Sequence, residues 1–259
     1  MRAIWKGYIQ FSLVTIPIKI YNAIDSAETV SFNLLHKSDY SPVGLQKYCK
    51  AENKVLAADE IVKGYEYEKG KYVIVEPDDL AAVKLKTTHT VELMAFVDKT
   101  EVKEVLFDAP YFAAPDGEIA LKSYALFLET LRTSGKVAIG KVVLRDRESI
   151  MMISAENSGL LLNKLRYPSE VRSMAEVPLL DDVEAVNVPA DQLRLAQMLM
   201  ESMMKPFAEV EMVDHYTSAV REMVQSKVEG TFIRRIEPKQ ETTDLMRALT
   251  ESIKLKKVA

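Results

Sequence analysis

The chain has 259 residues, enough for one large domain or one domain with an appendage, and 48% hydrophobic content with only nine glycines excludes a disordered or fibrous polymer. A formal charge of −4 counts against nucleic acid as a partner without excluding it, because any polyanion would have to meet locally segregated positive charge. No apolar run reaches the ~20 residues of a membrane helix, the first residues lack a signal-peptide pattern, and the single cysteine, Cys49, forbids an internal disulfide, so the reading is cytoplasmic with no membrane partner.

From the N-terminus, Ile9, Phe11 and Leu13 alternate with Gln10 and Ser12. Ile16, Ile18 and Ile20 continue the period after a shift of face, the pattern of half-buried strands. Pro17 removes a ladder donor and marks an edge or a bulge. Further strands are expected over 71–76, 89–97, 136–144, 150–155 and 160–167, punctuated by Glu76-Pro77-Asp78-Asp79 and Ala114-Pro115-Asp116-Gly117. One helix interrupts them: Leu121, Ala125, Leu128 and Leu131 share a face, and Gly135 closes its end. Many short strands around one inserted helix predict a mainly β fold with α, either a barrel or a curled sheet.

After Pro189 the texture becomes helical, with Asp191 expected as an N-cap. Leu195, Met198, Leu199, Ser202 and Met203 form one stripe before Pro206. A second pattern runs through Met212, Val213, Tyr216, Val220, Met223, Val224 and Val228 and stops at Gly230. A third follows Asp244 through Leu245, Met246, Leu249 and Ile253, with Lys254, Lys256 and Lys257 at its end, where cations suit the helix dipole. Six methionines lie between 198 and 223, flexible fillers that suit an irregular or shared interface. The stripes fit either packing on the chain's own barrel or burial on a partner chain.

The chemistry of common enzymes is missing. No GxGxxG, Walker loop, HExxH or GxSxG segment occurs. His36, His89 and His215 lie far apart, and Cys49 has Glu52 where a second zinc cysteine would stand. Asp78-Asp79 and Asp181-Asp182 read as solvated acids. What remains is a turn-rich stretch with Lys37, Lys47, Lys50, Lys54 and Lys63, and a strand running into Arg145-Asp146-Arg147. No base-reading framework accompanies them, so a nucleic-acid partner would be met through phosphates, independently of sequence.

Several segments in order resemble bacterial Ku: Arg2-Ala3-Ile4-Trp5-Lys6-Gly7-Tyr8-Ile9-Gln10-Phe11, Pro110-Tyr111-Phe112-Ala113-Ala114-Pro115, Leu165-Arg166-Tyr167-Pro168-Ser169-Glu170, Glu222-Met223-Val224-Gln225-Ser226-Lys227, and Asp244-Leu245-Met246-Arg247-Ala248-Leu249. The resemblance covers essentially the whole chain. It implies a Ku-core-like β-barrel with an inserted helix and a C-terminal helical arm. The implied organisation is a barrel core with a DNA-encircling bridge over 1–189, a dimerisation arm over 190–236 and a ligase-docking segment over 237–259.

The implied function is a homodimeric ring that binds double-stranded DNA ends independently of sequence, protects or bridges them, and recruits the ATP-dependent DNA ligase D in non-homologous end joining. A nucleoid-associated cytoplasmic location follows. The ring would be lined by Lys37, Lys47, Lys50, Lys54, Lys63, Lys84, Arg145 and Arg147. The arm would bury Leu195, Leu199, Met203, Phe207, Tyr216 and Val220 on the partner, and Leu245, Met246, Leu249 and Ile253 would dock the ligase. No catalytic residue, metal or cofactor is assigned, and the chain is read as not an enzyme. Many bacterial relatives carry arginines and a CxxC pair where this chain has the lysines of 47–54 and one cysteine. The alternative is a dimeric β-barrel scaffold for protein partners with only weak DNA affinity.

Overall fold

The structure, a computed structural model, describes residues 1–25, 30–83, 89–144 and 147–230. Packing divides the chain into two compact units, with the boundary between Arg172 and Ser173.

The first unit begins with the hairpin of β1 (Trp5–Phe11) and β2 (Val14–Asn22). The chain then leaves for an excursion made of β3 (Tyr48–Cys49), β4 (Lys54–Val55), β5 (Lys63–Glu68), β6 (Lys71–Val75) and α1 (Pro77–Val83). It returns through β7 (Thr90–Asp98) and β8 (Phe107–Pro115), helix α2 (Glu118–Ser134), and β9 (Lys136–Leu144), β10 (Arg147–Glu156) and β11 (Gly159–Leu165). Seven strands close a barrel in the order β1-β2-β8-β11-β10-β9-β7. Every neighbouring pair is antiparallel except β7 with β1, which closes the ring in parallel from Tyr8↔Thr90 to Gln10↔Glu92. Closure leaves no free sheet edge in the barrel.

Only part of the alternation expected of the first hairpin fills the core: Phe11 is exposed at the end of β1, and Leu13 is exposed in the turn that joins β1 to β2. Ile9, Ile16, Ile18 and Ile20 are fully buried, together with Val91, Met151, Ile153, Leu160 and Leu162. Helix α2 adds Tyr124, Phe127, Leu128 and Leu131 to the same cluster; Leu121 and Ala125 of the expected stripe are exposed, because the face that meets the barrel is turned towards Ala120, Tyr124 and Phe127. The Tyr124 hydroxyl donates to the Ala113 carbonyl at 2.6 Å and accepts the Leu160 N–H at 2.8 Å. One side chain thus bridges β8 and β11 where their ladder ends at Leu160↔Ala113. Desolvation raises the Tyr124 pKa, so the hydroxyl stays a neutral donor. A second cluster of Val137, Met152 and Leu165, with Val97, Leu106 and Phe107 against it, covers the other face of the β9–β10–β11 segment.

The helix stops at Gly135, which takes the left-handed conformation at φ 65°, as its place after the last periodic residue predicts. Strand β9 covers the expected span. Strand β8 was not expected, and its prolines explain why. Pro110 lies one residue beyond the end of the β2 ladder at Tyr111, and Pro115 lies beyond the end of the β11 ladder at Ala113. Pro17 follows the same rule: the β8 ladder begins at Ile18↔Pro115, so the missing donor faces a position with no strand beside it. Each proline sits where one neighbour has run out. The Glu76–Asp79 cluster, expected as a turn, instead starts α1: Pro77 takes the first helical position and the Asp79 carboxylate accepts the Glu76 N–H at 2.8 Å.

Among the described residues the second unit holds three α-helices, α3 (Leu180–Glu184), α4 (Ala190–Met203) and α5 (His215–Glu229). Asp191 lies inside the first turn of α4 and does not cap it; Pro189 holds the cap position. The second helical pattern starts later than Met212, because Asp214 takes the cap. Its carboxylate accepts the Thr217 hydroxyl at 2.7 Å and the Thr217 N–H at 2.9 Å, which holds its pKa below the usual carboxylate range. Gly230 ends α5 at φ 76°. No helix among the described residues is long and apolar enough to cross a membrane.

Candidate nucleic-acid interface

The excursion between β2 and β7 differs from the barrel in one respect that governs its use. None of the residues 32–83 is buried. What holds it locally is polar: Ser41 donates its N–H (3.1 Å) and hydroxyl (2.9 Å) to Asp39, lowering that carboxyl's pKa, and an isolated bridge joins Leu35 to Pro42. The β5–β6 ribbon pairs Tyr65 with Val73, Gly64 with Ile74 and Glu66 with Tyr72. Tyr65 and Val73 therefore share one face, and Tyr72 and Ile74 share the other. All four are exposed, Tyr65 at 67% and Tyr72 at 59%. A two-stranded ribbon that is apolar on both faces and covered on neither is not stable alone in water.

The lysines expected to meet DNA are spread along this excursion. Lys37 lies in the turn inside the Leu35–Pro42 bridge, Lys47 immediately precedes β3, and Lys50 lies in the turn between β3 and β4. Lys63 opens β5. None of these four has an ion-pair partner among the described residues. Lys54 does: its ammonium lies 2.8 Å from Glu60, whose pKa is lowered first by that contact and then by the Ala57 N–H. Its charge is already offset. Arg147, at the start of β10, has no carboxylate partner among the described residues and shares a cavity of about 810 Å³ with Lys63. The fold thus joins two expected cations that stand 84 positions apart in the chain. Lys84 and Arg145 lie outside the described residues, as do Leu245, Met246, Leu249 and Ile253.

One charged cluster was not anticipated. Asp108 on β8 accepts from Lys164 of β11 at 2.9 Å and from Arg166 just beyond it, with its side chain only 23% exposed. Hydrogen bonding from Lys164, with the charges of Lys164 and Arg166, holds the Asp108 carboxyl below the usual range. Lys141 faces Glu148 at 3.3 Å on the neighbouring strands, and Lys19 pairs with Asp116 at 2.5 Å. These pairs join residues remote in sequence, and nothing local announces them. No group of three or more His, Cys, Asp or Glu able to hold a metal is present among the described residues.

In the second unit the expected interface side chains differ in exposure. Val220 is buried, and Leu195 and Leu199 are half-buried on one face of α4. Met203, Phe207 and Tyr216 are exposed, Phe207 at 74%. Met200, Met204, Met212 and Val228 are exposed as well, so this unit carries far more uncovered apolar surface than scattered single residues would.

The family model described as the Ku70/Ku80 beta-barrel domain matches residues 10–195. The chain belongs to the Ku family. It is similar to the non-homologous end joining protein Ku of Heliobacterium modesticaldum, at 35% identity over 98% of this chain and 91% of that protein. The Ku proteins of Bacillus subtilis (35% identity, 98% of this chain, 82% of that protein) and Archaeoglobus fulgidus (34%, 98% and 98%) are similar to it over the same extent. The closed barrel with an inserted helix and C-terminal helices is the architecture this membership implies. Among solved structures, the SPOC domain of human PHD-finger protein 3 covers 63% of the chain at 12% identity and a TM-score of 0.31, a likeness too distant to bear on the Ku assignment.

Proposed function

We propose that two copies of this chain form a ring that binds double-stranded DNA ends independently of sequence, protects or bridges them, and recruits the ATP-dependent DNA ligase D in non-homologous end joining. The similar Ku proteins carry that pathway in their names. The observation that carries the ring is the excursion: an exposed ribbon apolar on both faces, with Lys37, Lys47, Lys50 and Lys63 spread along the same stretch of chain and unpaired among the described residues. A second copy would cover the apolar faces, and the lysines with Arg147 would track phosphates without a base code. Lys84 and Arg145 join this wall on sequence alone, and Lys54 contributes less because Glu60 neutralises it. The arm over 190–236 would bury Met203, Phe207 and Tyr216 on the partner, beside Leu195, Leu199 and Val220. Leu245, Met246, Leu249 and Ile253 would form the apolar stripe that docks the ligase, in the compartment of the bacterial nucleoid. Catalysis is assigned to no residue of this chain.

Threading is tested by a mobility shift with linear duplex against covalently closed circles of the same sequence. Strong binding to linear DNA alone is expected; equal affinity for closed circles overturns the ring. Binding should weaken steeply with salt, and Arg147→Glu should lower the magnitude of the log–log salt slope by about 1 on every sequence tested. An unchanged slope removes Arg147 from the wall.

A further inference from the structure

A cavity of about 600 Å³ opens at one end of the barrel, between β1, β8, β10 and β11. Its size suits a small organic ligand. Three aromatic side chains line it, Trp5, Tyr111 and Tyr167. The rim is charged, and the hydrogen-bond balance there is one-sided. Each lining carboxylate is already committed: Asp108 to Lys164 and Arg166, Glu148 to Lys141, and Glu170 to the Tyr167 N–H at 3.0 Å. One donor is left over: the Arg147 guanidinium has no carboxylate partner among the described residues.

Trp5 packs against the barrel core, which holds its ring in the cavity wall. It lies over Gly7, where a Cβ would come within 2.3 Å of the indole and 2.0 Å of the His89 carbonyl oxygen. Gly7 is the residue that leaves room for the ring. A bare anion would satisfy Arg147 and leave the aromatic walls unused. A planar ring joined to a phosphate uses both: the guanidinium fork takes the phosphate oxygens, and the rings stack.

We propose that this cavity binds a nucleoside 5′-phosphate, with the phosphate on Arg147 and the base against Trp5. A free nucleotide and an unpaired nucleotide at a DNA strand end carry the same chemistry, and the inference holds for either source. It does not depend on ring closure.

Trp5 is the only tryptophan in the chain, so its emission, excited where the eleven tyrosines do not absorb, reports on this cavity. Titration with adenosine 5′-monophosphate should give a saturable change in emission. Arg147→Ala should weaken the apparent Kd by about tenfold or more, and Arg147→Lys, which keeps the charge but loses the fork, by less. Arg147 is exposed, so neither variant removes core packing. Ribose 5-phosphate and inorganic phosphate should leave the emission unchanged; if either reproduces the nucleotide response, the site is a plain anion site and the proposal falls. A duplex with a short 5′-phosphorylated overhang, set against the same duplex made blunt, separates the sources. A response to the overhang alone that adenosine monophosphate competes away assigns the site to the strand terminus. No response to either probe, or a response that Arg147→Ala leaves intact, overturns the inference. Binding to closed circles would sink the ring while leaving the nucleotide titration standing, so the two readings fail separately.

Discussion

Strands β10 and β6 each carry four consecutive apolar residues, and the two runs end in opposite environments. In β10, Met151, Met152 and Ile153 are fully buried, because the barrel core covers one face and the Val137–Leu165 cluster covers the other. In β6, Tyr72, Val73 and Ile74 are exposed on both faces of a two-stranded ribbon. A run of this kind needs cover on two sides, worth about 1.5–3 kcal/mol for each large side chain fully removed from water. The barrel supplies its own cover; the ribbon has none among the described residues, and under the proposed ring a second copy would supply it. The contrast separates the apolar residues used in folding from those the proposal assigns to association.

On the barrel side, the largest expected effect is at Tyr124. Tyr124→Phe keeps the ring and removes the hydroxyl that satisfies both the Ala113 carbonyl and the Leu160 N–H. Leaving two buried backbone groups unpaired should cost about 1–3 kcal/mol. Thermal unfolding should then shift down by roughly 2–4 °C for each kcal/mol. A melting temperature within a degree of the parent would mean that the β8–β11 junction does not depend on this bridge.

A smaller loss is expected at Asp108. Its folded pKa is lowered, first by the Lys164 hydrogen bond, so folded Asp108 binds a proton less readily than the unfolded chain does. Its contribution is therefore complete above the ordinary value of 3.8 and is lost as pH falls through the lower folded value. Asp108→Asn should cost about 1 kcal/mol near neutral pH, since the carboxylate is only partly screened and leaves Lys164 and Arg166 facing each other. Denaturant titrations at several pH values should show the gap between parent and variant closing under acid. A gap that stays constant down to pH 2 would refute the charge origin.

Much of the barrel was legible because its pattern is local. The isoleucines of β2 at period two, the span of β9, and the close of α2 at Gly135 follow from local sequence; the buried face of α2 does not, since Leu121 and Ala125 of the expected stripe are exposed and Ala120, Tyr124 and Phe127 are buried beside Leu128 and Leu131. Strand β8 was hidden by Pro110 and Pro115, whose tolerance depends on which neighbouring ladder has already ended, a fact of three-dimensional register. The candidate interface was legible in kind but not in balance. Lys54 and Glu60 are six residues apart and pair, and Asp108 meets Lys164 and Arg166 from 56 and 58 residues away. Which cations remain free is decided by such encounters. The aromatic cavity was hidden for the same reason: Trp5, Tyr111 and Tyr167 stand far apart in sequence and line one cavity only once the barrel has closed.

The smallest effect on stability should belong to the ribbon, and it discriminates most sharply. Tyr65→Ser with Tyr72→Ser removes one ring from each face of β5–β6. Neither ring is buried against the chain's own core, so at dilution, where association is lost, stability should stay within about ±0.5 kcal/mol. At higher concentration the parent's melting temperature should rise and the variant's should not, because a partner that binds only the folded form stabilises by mass action. Sedimentation should show the parent associating and the variant sedimenting as a single copy. If the dilute variant instead melts several degrees lower, the ribbon already has cover within its own chain, and its contrast with β10 disappears. If both proteins associate alike, the apolar faces of the ribbon are covered by something other than a second copy, and the ring would have to be closed by the helices after Pro189 alone.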